Sequence, residues 1–201
     1  MKVTTQMVKE LRQATGAGVL EAKKILEQAE GDFDKAVDLL REKGMARAAK
    51  RAERTVNEGL IEMYAHPGNR VGVMLELNCE TDFVARNENF QNLAHDLALH
   101  IAAMSPRYLS REDVPQEDLD RELDVLRAQA EAEGKPAKIV EKIVEGRISK
   151  FYEEMCLLDQ PFIKDDKIKI GEMVTEAIRI TGENIVIRRF ERYELGESLD
   201  D

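Results

Sequence analysis

The chain passes from a strand-like pattern into a helix-like one within a single run, Leu77-Asn78-Cys79-Glu80-Thr81-Asp82-Phe83-Val84-Ala85-Arg86-Asn87. In the middle of this run an acidic residue, Asp82, stands beside a large aromatic residue, Phe83. A loop normally carries little apolar surface, so this phenylalanine either folds back into the core or is held out toward another molecule. The run alone leaves both interpretations open.

An alternating apolar pattern precedes the run, and a helical pattern follows it. Residues 71–77 carry valine or leucine at every second position, which is the period of a half-buried strand. The Pro-Gly-Asn sequence at 67–69 predicts a turn that pairs this strand with residues 60–64. Apolar residues between 90 and 104 recur at helical spacing, and 185–190 is a third strand candidate. We therefore expect an α+β core with a small antiparallel sheet packed by helices.

The first 43 residues have a different organisation, with three short amphipathic stripes separated by glycine. Each stripe is too short to form a stable helix alone, so together they predict a small N-terminal three-helix bundle. Residues 44–57 are basic and rich in alanine, and we interpret them as a helical linker with a solvated face.

A further helical region is predicted between about residues 116 and 158. Apolar residues from Leu119 to Ala130 are separated by four and three positions, the spacing of a helix–helix seam. Gly134-Lys135-Pro136 then interrupts the pattern before a second, longer helix. We expect a helical hairpin here, inserted in a core and dimerisation domain that covers 58–201.

The composition limits the kinds of partner that the chain can have. Of its 201 residues 43% are hydrophobic and 35% are charged, as in a globular protein. A net charge of −10 argues against direct nucleic-acid binding. The two cysteines lie far apart and indicate no disulfide framework or zinc site. Because no apolar run is long enough to span a bilayer, we expect no membrane association and a cytoplasmic location. No motif indicates a cofactor, and we expect none.

A search for catalytic motifs nominates no nucleophile or general base. His95 and His100 are five positions apart on a predicted helix and should point to different sides, so they cannot share a metal. Neither a metalloprotease HExxH motif nor a GxSxG nucleophile motif is present. The sequence thus favours an interaction protein that is not an enzyme. Two alternatives remain, a helix-bundle adaptor for a peptide or ubiquitin-like partner and an enzyme of unrecognised class.

Several sequence blocks, kept in one order along nearly the whole chain, carry a family resemblance. They are Val8-Lys9-Glu10-Leu11-Arg12 with Thr15-Gly16-Ala17-Gly18, Glu21-Ala22-Lys23-Lys24 with Gly31-Asp32, the central Leu75–Ala85, Glu153–Phe162, and the ending Phe190–Tyr193. Together these blocks resemble the elongation factor Ts family, the bacterial guanine-nucleotide exchange factors for elongation factor Tu.

The resemblance implies a fold, an activity and a set of partner-binding residues. It implies that residues 1–43 resemble ubiquitin-associated (UBA) domains. It also implies that the chain binds the GDP form of elongation factor Tu, displaces Mg²⁺ and GDP, and allows GTP to load, without a chemical step. In the family a Thr-Asp-Phe-Val motif disturbs magnesium binding in elongation factor Tu. The matching residues here are Thr81, Asp82, Phe83 and Val84.

The resemblance also assigns a partner surface to the N-terminal module. In the family this module touches the nucleotide domain of elongation factor Tu, and the matching positions are Arg12, Val19 and Leu20. The family often has methionine at the last two positions, so this chain departs from the pattern there. Longer members carry two related core halves. A homodimer of this shorter chain could supply the second half, so a homodimer is a possible partner arrangement.

Overall fold

The structure of the chain is a computed structural model that describes residues 3–134 and 136–198. Its α-helices are α1 Thr5–Thr15, α2 Val19–Gln28, α3 Phe33–Arg51, α4 Asp82–Ala85, α5 Glu88–Met104, α6 Gln116–Ala132, α7 Ala137–Met155 and α8 Ile170–Thr181. Its strands are β1 Glu58–Ala65, β2 Val71–Cys79, β3 Pro161–Phe162, β4 Asp165–Lys169 and β5 Ile185–Glu194. Short 3₁₀ helices cover Arg111–Asp113 and Leu157–Asp159. The predicted α+β class is confirmed. Lys135 of the predicted helix break lies outside the described residues.

The three N-terminal helices follow the predicted apolar stripes. The Thr4 side chain caps α1 by accepting from the Met7 amide, and Gly16 ends it in the left-handed conformation with φ 63°. The Asp32 side chain caps α3. One buried cluster joins all three helices, and its residues are Val8, Leu11, Ala17, Ala22, Ile25, Leu26, Ala29, Ala36 and Leu40.

Helix α3 differs from expectation because it does not stop at Gly44. It continues to Arg51, so the helical part of the basic segment is an extension of α3. A Cβ atom at Gly44 would lie 3.2 Å from Cδ of Arg179, so the arginine side chain would have to shift slightly to accommodate it. The close packing of the Arg179 side chain therefore explains the glycine at this position. From the sequence alone, the same glycine indicates the end of a helix.

The strands β1, β2 and β5 form one sheet in that order. A short turn joins β1 to β2, in which Gly68 and Asn69 have positive φ, as the Pro-Gly-Asn sequence predicts. The amide of Leu195 donates to the carbonyl of Arg70 at 2.8 Å, which places the end of β5 beside the start of β2. The third predicted strand is thus present and antiparallel to β2, and it extends to Glu194.

The sheet and α5 are linked by polar contacts. His95 Nδ1 lies 2.9 Å from Glu62 Oε1 of β1, and Arg192 of β5 donates to the carbonyl of Ala102 at 3.3 Å. The predicted inner faces are buried, with Val73, Leu75 and Leu77 on β2 and Phe90, Leu93, Leu97 and Ile101 on α5.

The predicted helical hairpin is formed by α6 and α7. Its seam buries Leu126 and Ala130 of α6 together with Val140 and Val144 of α7. The sequence did not predict the small hairpin of β3 and β4, which pair antiparallel around an Ile163-Lys164 turn. That turn contains neither glycine nor asparagine, so it lacks the usual turn signal.

The chain forms two compact units, each assembled from separate segments. The first contains the described residues up to Gly59, together with Asn78–Arg86 and Val174–Val186. The second contains Leu60–Leu77, Asn87–Met173 and the described residues from Ile187 onward. The predicted domain boundaries near residues 43 and 57 stay a prediction.

Candidate partner-binding site around Phe83

The central run contains one turn of helix where the sequence predicted a loop. Helix α4 begins at Asp82, and the hydroxyl of Thr81 accepts from the amide of Val84 at 3.4 Å. An acidic residue in the first turn suits the positive end of a helix. The run therefore has a defined backbone conformation even though its regular part is only four residues long.

Phe83 points away from the protein. Its side chain is 83% exposed, whereas Ala85, two positions later, is buried. Of the two interpretations of this aromatic residue, burial in the core of this chain is wrong. A large apolar side chain held out on an ordered turn is typical of a contact with another molecule.

The Glu183 carboxylate anchors the residues that precede α4. Its Oε2 accepts from the backbone amides of Glu80 at 3.1 Å and Thr81 at 3.0 Å. Its Oε1 accepts from the hydroxyl of Thr81 at 2.6 Å. The same hydroxyl accepts the Val84 amide, so Glu183 orients the group that caps α4.

The Glu80 carboxylate makes the reciprocal contact between the same two segments, accepting from the segment that carries Glu183. Glu80 Oε1 accepts from the backbone amide of Asn184 at 2.6 Å and from Arg54 at 3.3 Å. The Asn184 hydrogen bond is the main reason why the pKa of the Glu80 carboxyl lies below its usual value. The Asn184 side chain donates to the carbonyl of Arg54 at 3.0 Å. The segment after α3 is therefore attached to the same cluster.

Asp82 forms an ion pair on the outer face of the turn. Its carboxylate lies 3.0 Å from the guanidinium of Arg86, four positions later on the exposed surface. Exposed pairs of this kind contribute little to stability. The Asp82 carboxylate thus stays accessible beside Phe83.

The three N-terminal site residues lie around the start of α2. Leu20 is 84% exposed and Val19 is 53% exposed, so both can reach another molecule. Arg12 also has a contact within the module, because its Nε donates to the carbonyl of Ala17 at 3.2 Å. The structure places these residues in the same compact unit as the Phe83 turn.

The second half of α8 helps to hold this unit together. The Arg179 guanidinium donates to the carbonyl of Thr15 and pairs with Glu176. Arg51, in the last turn of α3, donates to the carbonyl of Ile178. Arg51 and Arg54 therefore form hydrogen bonds within this chain, whereas a solvated face was expected for the basic segment.

The two histidines of α5 differ in exposure, and both cysteines are buried, with Cys79 Sγ donating to the carbonyl of Thr81 at 3.1 Å. His95 is exposed while His100 is buried on the same helix, which confirms that they point to different sides. Cys79 and Cys156 are buried free thiols, and burial raises the pKa of each to about 11. Among residues 3–134 and 136–198, no three His, Cys, Asp or Glu side chains are grouped so as to hold a metal ion. None of the helices in that same part of the chain is sufficiently long and apolar to cross a membrane.

Sequence reasoning missed the residues that hold the turn in place. Glu183 and Asn184 are far from the central run in sequence, and neither belongs to a recognisable motif. The one available signal was a polar pair between the helix-ending Thr181-Gly182 and the apolar start of β5. That signal marks a connection, but it does not identify what the connection binds.

Comparisons with known proteins agree with the family resemblance. Residues 1–197 match the family model described as "Elongation factor TS". Elongation factor Ts of Desulfitobacterium hafniense is 57% identical over 199 residues, which cover 99% of this chain and 92% of that protein. The protein of the same name from Carboxydothermus hydrogenoformans is 56% identical over 197 residues, covering 98% and 91%. In Thermodesulfovibrio yellowstonii it is 54% identical over the full length of both chains. The chain therefore belongs to the elongation factor Ts family.

Proposed function

We propose that the chain is a guanine-nucleotide exchange factor that binds the GDP form of elongation factor Tu and uses Phe83 to displace Mg²⁺ and GDP. Membership of the elongation factor Ts family implies nucleotide exchange on elongation factor Tu during translation elongation. The observation that carries the finer proposal is the 83% exposure of Phe83 on a hydrogen-bonded turn.

The physical basis of the proposal is the sensitivity of a GTPase site to small displacements. A GTPase holds the nucleotide phosphates through backbone amides and through a Mg²⁺ ion on the phosphate oxygens. Magnesium requires a nearly ideal octahedral set of ligands. An aromatic ring that shifts the elements around this ion therefore weakens the binding of both metal and nucleotide. Phe83 supplies the rigid apolar volume, and no contact with GDP is needed.

Thr81, Asp82 and Val84 support this action in different ways. Thr81 caps the turn, and Val84 is the partly buried residue that follows Phe83. The accessible carboxylate of Asp82 can approach the water shell of the metal or polar groups of the partner. Arg12, Val19 and Leu20 form a second contact with the nucleotide domain of elongation factor Tu.

Thermodynamic coupling sets the direction of the cycle. The factor must bind nucleotide-free elongation factor Tu more tightly than the loaded form, and this coupling is reciprocal. GTP binding then releases the factor, which has accelerated exchange without a chemical step. We place this activity in the cytoplasm, without direct contact with nucleic acid or membrane. Homodimer formation stays a prediction.

The proposal is tested by measuring release of a fluorescent GDP analogue from elongation factor Tu in a stopped-flow instrument. We expect Phe83→Ala to slow the maximal release rate, because truncating an interface anchor costs about 2 kcal/mol or more. That loss corresponds to roughly thirty-fold in rate. The fold should persist because the ring is exposed.

Tyr193→Ala is the matched control, since it removes another exposed aromatic ring, from β5. It should leave GDP release unchanged. Unaltered release with Phe83→Ala, from a variant with a normal thermal transition, would refute the wedge role.

A further inference from the structure

The turn that carries Phe83 is too short to define its own position. Helix α4 has four residues, and a single helical turn is not stable in isolation. Phe83 contributes almost no burial that could fix it. The orientation of the ring must therefore come from groups outside the turn.

We infer that Glu183 is the positioning residue for Phe83, and that it acts through Thr81; this inference rests on the proposed exchange function. The Glu183 carboxylate receives three hydrogen bonds from the two residues that precede α4. It thereby fixes the backbone at Glu80 and Thr81 and orients the hydroxyl that caps the Val84 amide.

The charge on this acceptor matters to the strength of the anchor. Hydrogen bonds to an ionised carboxylate are roughly twice as strong as those between neutral groups. All three donors lie within 3.1 Å of Glu183 oxygens. The position of Glu183 is in turn fixed because the next residue, Asn184, donates its amide to Glu80. The two segments thus bind each other reciprocally, each through one carboxylate.

An exchange factor needs this rigidity at the point of contact. An apolar wedge displaces groups of a partner only if it keeps its own position when the two proteins bind. If the side chain or turn is mobile, part of the binding free energy is lost in ordering it. Loss of the Glu183 anchor leaves the Phe83 ring present but imperfectly placed. The expected defect is therefore in the maximal rate of GDP release more than in the concentration at half-maximal rate.

Two variants at residue 183 distinguish loss of the hydrogen-bond acceptors from loss of the negative charge alone. Glu183→Ala removes every acceptor and should lower the maximal GDP release rate at least tenfold, because a tenfold change corresponds to about 1.4 kcal/mol, the lower end of the range for one hydrogen bond to a charged group. Glu183→Gln keeps one carbonyl oxygen for the backbone amides, and its NH₂ group can donate to Thr81. It should recover part of the lost rate, because hydrogen bonds to a neutral acceptor are roughly half as strong as those to a carboxylate. Glu191→Ala, which removes an exposed carboxylate of β5, is the control that should leave the rate unchanged.

A double-mutant cycle with Phe83→Ala tests whether Glu183 acts through the ring. If it does, Glu183→Ala lowers the rate no further once Phe83 is alanine. Multiplied defects in the double variant, or a wild-type rate for Glu183→Ala, would overturn the inference. An unchanged rate for Phe83→Ala would instead overturn the wedge role of Phe83 in the proposed function.

Amide hydrogen exchange provides a readout that needs no partner. Glu183→Ala should accelerate exchange at the Glu80 and Thr81 amides, with little change at the buried residues of α5. Unaltered protection at those two amides contradicts the positioning role. Should Glu183→Ala fail to fold, Glu183→Gln and the one-methylene-shorter Glu183→Asp permit the same comparison, with Asp expected to be the more impaired.

Discussion

Phe83 and Leu20 occupy equivalent positions in their helices, yet they are supported in different ways. Each is the second residue of a helix, and their exposed fractions are nearly equal, 83% and 84%. Ahead of Phe83, the Thr81 side chain caps α4 and is itself bound by Glu183. Ahead of Leu20, Gly18 occupies the capping position of α2 and provides no side-chain hydrogen bond.

The difference shows two ways of presenting an apolar side chain to a partner. The Phe83 turn is held by polar anchors, because Ala85 is the one buried residue among its four. Helix α2 has ten residues and buries Ala22, Ile25 and Leu26 on its inner face. Leu20 is thus held by apolar packing through the helix that carries it. Substitutions that remove the polar anchors should therefore disturb the position of Phe83. Substitutions that leave a cavity under α2 should disturb the position of Leu20.

The largest expected effect tests the packing side of this comparison. Leu26→Ala removes a fully buried side chain from the N-terminal cluster and should lower the free energy of unfolding by about 3 kcal/mol. Chemical denaturation monitored by circular dichroism measures the loss. Leu20→Ala, on the exposed face of the same helix, is the control and should change stability little. Equal losses for the two variants would contradict the assignment of support to the buried face.

A smaller effect is expected at Leu20 itself, and it should appear in binding. Leu20→Ala should raise the chain concentration needed for half-maximal GDP release several-fold, corresponding to about 1 kcal/mol of interface energy. The maximal release rate should be kept, because Leu20 is not the proposed wedge. A titration of exchange rate against chain concentration separates the two quantities. A lower maximal rate with an unchanged half-saturating concentration would mean that Leu20 acts on the release step, as proposed for Phe83, and not on binding.

The elements that the sequence predicted are those with a long periodic signal. The apolar stripes of α1, α2 and α5 and the alternation in β2 each extend over several turns or residues, so local burial alone determines them. The site residues followed from a resemblance to a known family, that of 75–85 for the Phe83 turn and that of the N-terminal module for Arg12, Val19 and Leu20. The exposure of Phe83 could not be predicted, since an aromatic residue in a connection is compatible with burial and with display.

The parts that the sequence did not predict depend on contacts between distant residues. Glu183 and Thr81 are 102 positions apart, so no local pattern links them. Helix α4 is too short to show a periodicity. Gly44 indicated a helix end because glycine usually does, whereas its reason here is the nearby side chain of Arg179. At Gly44 a tertiary contact overrides a local propensity.

Acid should weaken the polar anchor and leave α2 unaffected. The folded-state pKa of Glu80 is lowered, chiefly by the Asn184 amide. The ionised Glu80 carboxylate therefore contributes fully to the free energy of unfolding at a pH above its unfolded-state pKa of about 4.5. This contribution is lost as the pH falls through the lower pKa of the folded state. The melting temperatures of wild type and Glu80→Gln should differ at pH 7 and converge below about pH 4.5. Glu27→Gln removes an exposed carboxylate of α2 and should differ little from wild type at any pH.

A persistent difference between wild type and Glu80→Gln at low pH would mean that the Glu80 carboxylate does not act through its charge. Glu80 would then support the Phe83 turn through the geometry of its hydrogen bonds.

The smallest expected effect comes from giving α2 the cap that it lacks. Gly18 has φ −64° and ψ 153°, which other residues adopt freely, and no atom lies within 4 Å of an added Cβ. Gly18→Ser would pair with Glu21 three positions later as a capping box, for a gain of a few tenths of a kcal/mol. The melting temperature should rise slightly. Gly68→Ser, at φ 93°, is the control and should lower it. A lower melting temperature for Gly18→Ser would show that the serine side chain does not cap α2, and that α2 is stabilised by the packing of its buried face alone.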